Sequence, residues 1–366
     1  MKSLVFGASE YESLPKSPAG LKLLNGGYAA AYRDGKRLML FRDPIGIVPL
    51  YYSLTPKLTY SDRFIGPLEL NPRTILSFNG KRVSRKKLPN QFTTTPRLRL
   101  DYVDIRQQLK ELIVTAVDER SAGRVGVFFS GGLDSSVIAL ILKKLGRGVL
   151  CYTAGITRPG CKLPEDVVFA KRAARALKLK LKVILISHKE VEALVKEIIP
   201  LTGDKTVVNV GVSIPLFLSA RAAKRDGVSH VFSGLGSEEC FAGYRRHRKA
   251  EHVNMECRLG MFNLYRRDTF RDYAISKHFS LKLMVPFLDR RVVDFSLRIP
   301  PNYKINQGVS KLVLRDIAHD LGLPKWIATR PKRAAQYGSG SDKAISKLAR
   351  AKGFHYKTDY LKGLVQ

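Results

Sequence analysis

Residues Ser130 to Ser136 read Ser-Gly-Gly-Leu-Asp-Ser-Ser, hydroxyls and one carboxylate arranged around two adjacent glycines. The run before them, Val125 to Phe129, is short and β-prone, and the run after them, Val137 to Leu142, is apolar over helical length. Strand, glycine turn and helix start together make an anion cradle. The glycines let the backbone turn tightly, and free N–H groups and the positive end of the helix dipole point at one spot. Ser130, Ser135 and Ser136 can add hydroxyl donors. The anion expected there is a phosphate. Asp134 in the middle of the cradle would repel it unless a cation lay between them. Mg²⁺ carried by ATP meets that need, because it takes one or two carboxylates together with phosphate oxygens. No lysine follows the turn, so the stretch is not the lysine-bearing P-loop.

Ser130 to Ser136 resembles the pyrophosphate loop of the PP-loop ATP pyrophosphatases. Four later segments resemble, in order, motifs of the asparagine synthetase family: Ser233 to Tyr244, Val285 to Arg291, Lys311 to Arg315, and Arg330 to Gly340. The resemblance implies an enzyme that uses ATP to adenylate a carboxylate, aspartate in the family, and releases AMP and pyrophosphate as an amide forms. It implies that Ser130, Gly131, Gly132, Ser135 and Ser136 hold the phosphates and that Ala154, Ser233 and Gly234 contact adenosine. Asp134 and Glu238 would hold Mg²⁺, with Glu238 standing where the family has Asp. Lys332 would lie over the phosphates and neutralise the charge that builds as pyrophosphate leaves. Lys332, Asp134 and Glu238 are therefore the candidate catalytic set, and Gly338 to Ser341 is expected to be a mobile lid. Asp289 and Arg315 admit either a structural role or a substrate contact. Leu235 departs from the pattern: the family has there a Glu that acts as base for ammonia, a role a leucine side chain cannot fill. Leu201 likewise stands where a Glu is common.

The N-terminal third carries a second resemblance. Asn25 to Ala29, Arg42 to Tyr52 and Tyr60 to Asp62 look like the middle of the glutamine amidotransferase domain of asparagine synthetases. That domain uses an N-terminal cysteine thiol as nucleophile. Here position 2 is Lys2 and the first cysteine is Cys151. An ammonium cannot replace the thiol, so the expectation is no glutaminase, dependence on free ammonia or another amine, and a remnant that covers or braces the rest.

The elements that must position these residues follow from periodicity. Hairpins are expected at Tyr28 to Phe41 and, around Asn79-Gly80, at Ile75 to Val83. Pro89 to Pro96 is a linker by composition. Asp104 to Ser121 is an amphipathic helix with Ile105, Leu109, Leu112, Ile113, Ala116 and Val117 on one face. Strands at Val125, Gly148, Lys180 and Val228 then alternate with helices at Asp166 to Leu177, Val191 to Ile199 and Val212 to Asp226, the last carrying Pro215 near its start. Such alternation means a parallel sheet whose strand ends face the ligand. The glycine-bearing ends at Ser130 to Gly132, Gly155 and Ser233 to Gly236 are expected to converge, and from about Glu251 the chain reads as helical. The fold class is α/β: a parallel-sheet PP-loop domain, adenine nucleotide alpha hydrolase-like, over residues 96–366, preceded over residues 1–95 by a small β-rich remnant of an Ntn-type amidotransferase domain.

A chain of 366 residues has length for two cores. Its 64 Lys and Arg against 31 Asp and Glu give a net charge of +33. That field attracts ATP and polyanions alike, so nucleic acid is admitted as a partner, and the alternative function is an RNA-acting PP-loop enzyme that adenylates a base or a tRNA-bound group. A third reading is a non-catalytic relative that binds ATP as a regulator. The four cysteines form no Cys-x-x-Cys pair. No run of about 18 apolar residues and no apolar leader is evident, so a cytoplasmic protein without a membrane partner is expected, with a homodimer left open.

Overall fold

The computed structural model describes residues 2–6, 25–55, 57–89, 97–157, 160 and 162–364. Most of the expected linker and Cys161 lie outside them.

The N-terminal region builds an antiparallel sheet from β1 (Lys2–Phe6), β2 (Ala29–Asp34), β3 (Arg37–Arg42), β6 (Thr74–Phe78) and β7 (Val83–Lys87), in the order β1-β2-β3-β6-β7. Between them β4 (Tyr51–Ser53) pairs with β5 (Thr59–Ser61). Both expected hairpins form. The second closes with Phe78 opposite Val83, so its loop is the four residues Asn79 to Arg82 and not a two-residue Asn-Gly turn. The Asn79 side chain explains the longer loop, accepting the N–H groups of Lys81 and Arg82 at 3.1 and 2.8 Å.

The larger part is a parallel sheet of β8 (Val125–Phe128), β9 (Val149–Thr157), β10 (Lys180–Ser187), β11 (His230–Phe232) and β12 (Lys282–Met284), ordered β10-β9-β8-β11-β12. Starting from β8, the strand order runs outward one way through β9 and β10 and the other way through β11 and β12. The reversal lies between β8 and β11, the place where open parallel sheets leave a crevice at their carboxyl ends. β12 was not legible in a segment that reads as helical, because three residues give no period and its burial comes from β11 beside it.

Helices cover both faces of this sheet. The Tyr102–Asp118 helix, capped by the Asp101 carboxylate on the Asp104 N–H, buries Ile105, Leu109, Ile113, Ala116 and Val117. Leu133–Lys144 follows β8, and Glu165–Ala176 follows β9. The helix expected from Val212 starts instead at Val207, capped by the Thr206 hydroxyl, so Pro215 lies in its interior. The cost of the lost backbone bond there is offset by burial of Ile214, Phe217, Leu218 and Ala220. By length and composition alone this is, among the described residues, the one helix able to cross a membrane, yet 56% of its apolar window is buried in the domain.

The two sheets are fastened together by polar contacts. Asp289 is fully buried and receives bonds from Asn25 of the N-terminal region and from Arg120 and Arg291, each at 2.8 Å. Burial alone would raise its pKa, but Arg291, Arg120 and Asn25 outweigh it and hold the carboxyl below the usual range. Of the two roles admitted for Asp289, the structure shows the structural one.

Candidate active site

The strand ends bring two loops into contact at the crevice. After β8 the chain turns through Gly131, at φ +70°, where a Cβ would lie 2.9 Å from the Ala170 backbone. Gly132 then caps the Leu133–Lys144 helix. After β11, Gly234 lies so close that a Cβ there would sit 2.8 Å from the Asp134 Cβ. Gly236, at φ +91°, starts the short Ser237–Cys240 helix that carries Glu238. Ser130 and Ser135 approach each other at 3.3 Å between hydroxyls. Ser136 is fully buried and lines none of the described clefts. Gly155, expected at a strand end, lies inside β9, where only a glycine leaves room for Pro164 and Val167. Its neighbour Ala154 does line a pocket, with Phe128, Pro215, Leu216 and Ser339.

The carboxylates of Asp134 and Glu238 converge on one ammonium. Lys311 Nζ lies 2.8 and 2.9 Å from the Asp134 oxygens, 2.9 Å from Glu238 Oε1 and 3.0 Å from the Ser237 hydroxyl. Lys332 Nζ approaches the same Glu238 oxygen at 2.7 Å. Burial alone would raise the Glu238 carboxyl; Lys311 and Lys332 outweigh it and pull its pKa down to about 2. Two lysines and two carboxylates thus form a charge-balanced cluster in which Glu238 is buried and about half of the Lys332 side chain stays open. Gly243 makes it possible, since a Cβ there would collide with the Glu238 carboxylate and the Lys311 chain. Lys311 holds a left-handed backbone at φ 58°, uncommon outside glycine and kept by its polar contacts.

A pocket beside this cluster is strongly basic, lined by Lys311, Arg315, Arg330, Lys332 and Arg333 around Ser130, Gly132 and Asp134. Arg330 donates to the Ser130 carbonyl at 2.8 Å and to Asp166 at 2.6 Å, and stacks over Phe169. Burial raises the Asp166 carboxyl despite Arg330. Arg315 is anchored on the carbonyls of Ser310 and Ala328 while its side chain borders the pocket. The Gly338 to Ser341 segment is packed and not open: Ser339 and Ser341 are buried, the Ser339 carbonyl accepts the Ile156 N–H at 2.9 Å, and Gly338 abuts Asp166. The expected lid is thus part of the wall.

The third and largest cleft, about 340 Å³, runs from Ser233 and Gly234 past Leu235 to Glu239, Tyr244 and Gln336. Beneath it the buried Glu239 pairs with Arg267 at 2.6 Å, and Arg271 pairs with Asp272 at 2.7 Å and Asp268 at 3.2 Å. Burial, reinforced by Asp268, raises the Glu239 carboxyl, Arg267 notwithstanding. Ser130 and Ala335 border all three clefts, so they form one continuous depression.

Of the sequence-based candidates, Ser130, Gly132, Asp134, Ser135, Ala154, Ser233, Gly234, Glu238 and Lys332 line this depression, while Gly131 shapes its turn from behind. Sequence reasoning assigned no role to Lys311, Asp166, Arg330, Glu239 or Gln336. Lys311 and Arg330 each open a motif quoted above, which was the available signal. Glu239 and Gln336 lie inside quoted motifs as well; Asp166 carried none.

A parallel α/β sheet whose switch-point crevice holds a glycine cradle, a paired carboxylate cluster and a basic pocket defines a PP-loop nucleotide-binding protein. The Asparagine synthase family model matches residues 108–258 and 247–357. The chain belongs to the asparagine synthetase family. A putative asparagine synthetase [glutamine-hydrolyzing] of Methanocaldococcus jannaschii is 31% identical, over 92% of this chain and 73% of that protein. Asparagine synthetase [glutamine-hydrolyzing] of Mus musculus is 29% identical, over 81% of this chain, which spans 56% of the mouse protein. Among solved structures, NMN synthetase of Francisella tularensis (TM-score 0.35, 11% identity, 72% of this chain and 93% of that one) and NH3-dependent NAD synthetase of Campylobacter jejuni (0.33, 14%, 73% and 94%) are distant likenesses.

Proposed function

We propose that the chain is an ATP-dependent amide ligase that adenylates a carboxylate and passes the acyl group to an amine. The observation that carries this reading is the meeting of Asp134, Glu238, Lys311 and Lys332 at the mouth of the glycine cradle. ATP phosphates fit the basic pocket, and adenosine fits the apolar pocket at Phe128 and Ala154. A substrate carboxylate oxygen attacks the α-phosphorus, the α–β bridging bond breaks and pyrophosphate leaves. Lys332, with its head group already at the cluster and its chain open to solvent, is placed to neutralise that leaving charge. Amine nitrogen then attacks the acyl carbon, AMP leaves and a proton is released.

Asp134 and Glu238 suit Mg²⁺, since they are two carboxylates that already share one cation beside a phosphate-sized basic pocket. Bound there, Mg²⁺ would supply further charge neutralisation on the phosphates. The relatives' name makes aspartate the reference acid. Their names also state glutamine hydrolysis; for this chain we propose ammonia or another free amine as the nitrogen source, and amide formation assayed with ammonia against glutamine tests it. The division at residues 95 and 96 and a cytoplasmic location belong to the same proposal.

Acid-dependent exchange of labelled pyrophosphate into ATP tests it. Exchange with aspartate or another carboxylate is the expected result. Cleavage of ATP to ADP and phosphate would overturn it.

A further inference from the structure

Outside the depression, a ladder of cations and rings runs from the basic pocket to the surface. Its inner rung is Arg330, which lines the pocket and holds its guanidinium carbon 4.0 Å from the Phe169 ring centre. Phe169 meets Trp326 with ring centres 5.7 Å apart. Arg172 closes the outer end, 4.9 Å from the Trp326 ring centre and 5.7 Å from that of Phe169. Phe169 and Arg172 lie one turn apart on the Glu165–Ala176 helix, and Trp326 sits on the short Lys325–Ala328 helix. Trp326 is the single tryptophan of the chain and is 37% exposed. Arg172 is exposed as well, and among the described residues no carboxylate pairs with it. The two acids of its helix are already taken, Asp166 by Arg330 and Glu165 by Arg333. Lys171, Arg175 and Lys325, all exposed, add positive charge on the same two helices.

An exposed ring carrying an unpaired guanidinium offers two things at once, a surface for stacking and a planar fork of N–H donors. A nucleic-acid strand offers the complementary pair, an unstacked base and the phosphate beside it. An acidic polypeptide would meet the cations and leave the rings unused, and a duplex keeps its bases inside. Free bases are what RNA loops and ends present. We propose that Phe169, Trp326 and Arg172 form a stacking seat for single-stranded RNA beside the mouth of the basic pocket: a base stacks against Trp326 and the Arg172 guanidinium, and Arg172 donates N–H bonds to the neighbouring phosphate. The diffuse charge of the chain draws the strand in, and the ladder seats one base of it. Trp326 and Arg172 line none of the three clefts, so the seat goes beyond the amide-ligase reading and does not depend on it.

Because Trp326 is the single tryptophan, its emission in the full-length wild-type chain reads the ladder directly. At low ionic strength a short single-stranded oligoadenylate is expected to quench it. Inorganic polyphosphate, which has the charge without the bases, and an RNA duplex of the same length are expected to bind without quenching. Equal quenching by polyphosphate or by the duplex would overturn the seat. Quenching by polyglutamate and not by the oligoadenylate would give the face to an acidic protein and overturn RNA as its partner. In anisotropy titrations Trp326→Ala is expected to raise the Kd for labelled oligoadenylate by about tenfold, as loss of one stacked base does, and to leave the Kd for polyphosphate within about twofold of wild type. Trp326→Phe keeps a ring and is expected to hold the oligoadenylate Kd within about threefold of wild type. The same rise for both ligands in Trp326→Ala, or no rise for either, would overturn the seat.

Discussion

Glu238 and Lys332 concentrate the chemistry proposed for this site in one ion pair with two partners. Lys332→Ala removes the cation aimed at the leaving pyrophosphate and leaves the cradle intact. It is expected to lower the rate of exchange roughly 100-fold to 1,000-fold, as loss of one preorganised charge-stabilising group does elsewhere, with ATP binding retained by fluorescence titration. Glu238 makes a separate prediction about pH. Its folded-state pKa, about 2, lies below the ordinary 4.5, so the folded state binds fewer protons. The stability it contributes is fully present above about pH 4.5 and is lost as pH falls toward 2. The shift corresponds to about 3 kcal/mol. Urea denaturation should therefore show Glu238→Gln less stable than wild type by about that amount at pH 7, with the gap narrowing at pH 3. A gap that stays constant with pH would show that Lys311 and Lys332 do not depress this carboxyl.

At the scale of elements, the site depends on backbones that approach without side chains and on a brace from the N-terminal region. Gly243→Ala would drive a methyl into the Glu238 carboxylate and the Lys311 chain. We expect far-UV circular dichroism to stay native while the Kd for ATP rises by about tenfold or more, because packed interiors yield little. The brace is built from Arg42 and Asp43. Arg42 donates to the Gly46 carbonyl at 2.7 Å and to Glu69 at 2.6 Å, and Asp43 accepts the N–H groups of Gly46, Ile47 and Val48. The turn so fixed meets Thr269, whose hydroxyl donates to the same Gly46 carbonyl at 2.6 Å. Thr269 ends the π-helical turn Tyr265–Thr269, the stretch that carries Arg267 and Asp268 to the cleft floor. The N-terminal region thus props the wall of the large cleft as well as touching the sheet domain at Asp289. Asp289→Ala strips a carboxylate from the buried Arg120 and should cost about 3–5 kcal/mol in urea denaturation.

For the whole molecule the dominant quantity is the net charge of +33. The basic pocket uses a handful of the 64 cationic side chains, and the others spread along the chain. A diffuse field raises the encounter rate with any anion and fades with salt. Gel shifts with RNA are expected at low ionic strength and to vanish near physiological salt, with the steep slope of counterion release, while ATP binding in the recessed pocket persists. RNA retained at physiological salt would favour the macromolecular acceptor over the small acid.

The order of motifs was enough to give the parallel α/β domain, the glycine turn after Ser130 and the nearness of the Asp134 and Glu238 loops, because strand-turn-helix punctuation and glycine placement are local and leave their mark in the chain. Helix faces such as Ile105, Leu109 and Ile113 were legible for the same reason. Pro215 misled, since a proline reads as a helix start until burial of its neighbours outweighs one lost backbone bond. The Gly338 to Ser341 stretch expected as a lid packs against Asp166 in this structure, a contact that needs the neighbour. Lys311 between the two carboxylates, Arg330 on Ser130 and the short strand β12 are decided by groups far apart in sequence. Only the tertiary structure could place them, because an ammonium finds its carboxylates, and a three-residue strand its partner, through distance and burial that no local pattern encodes.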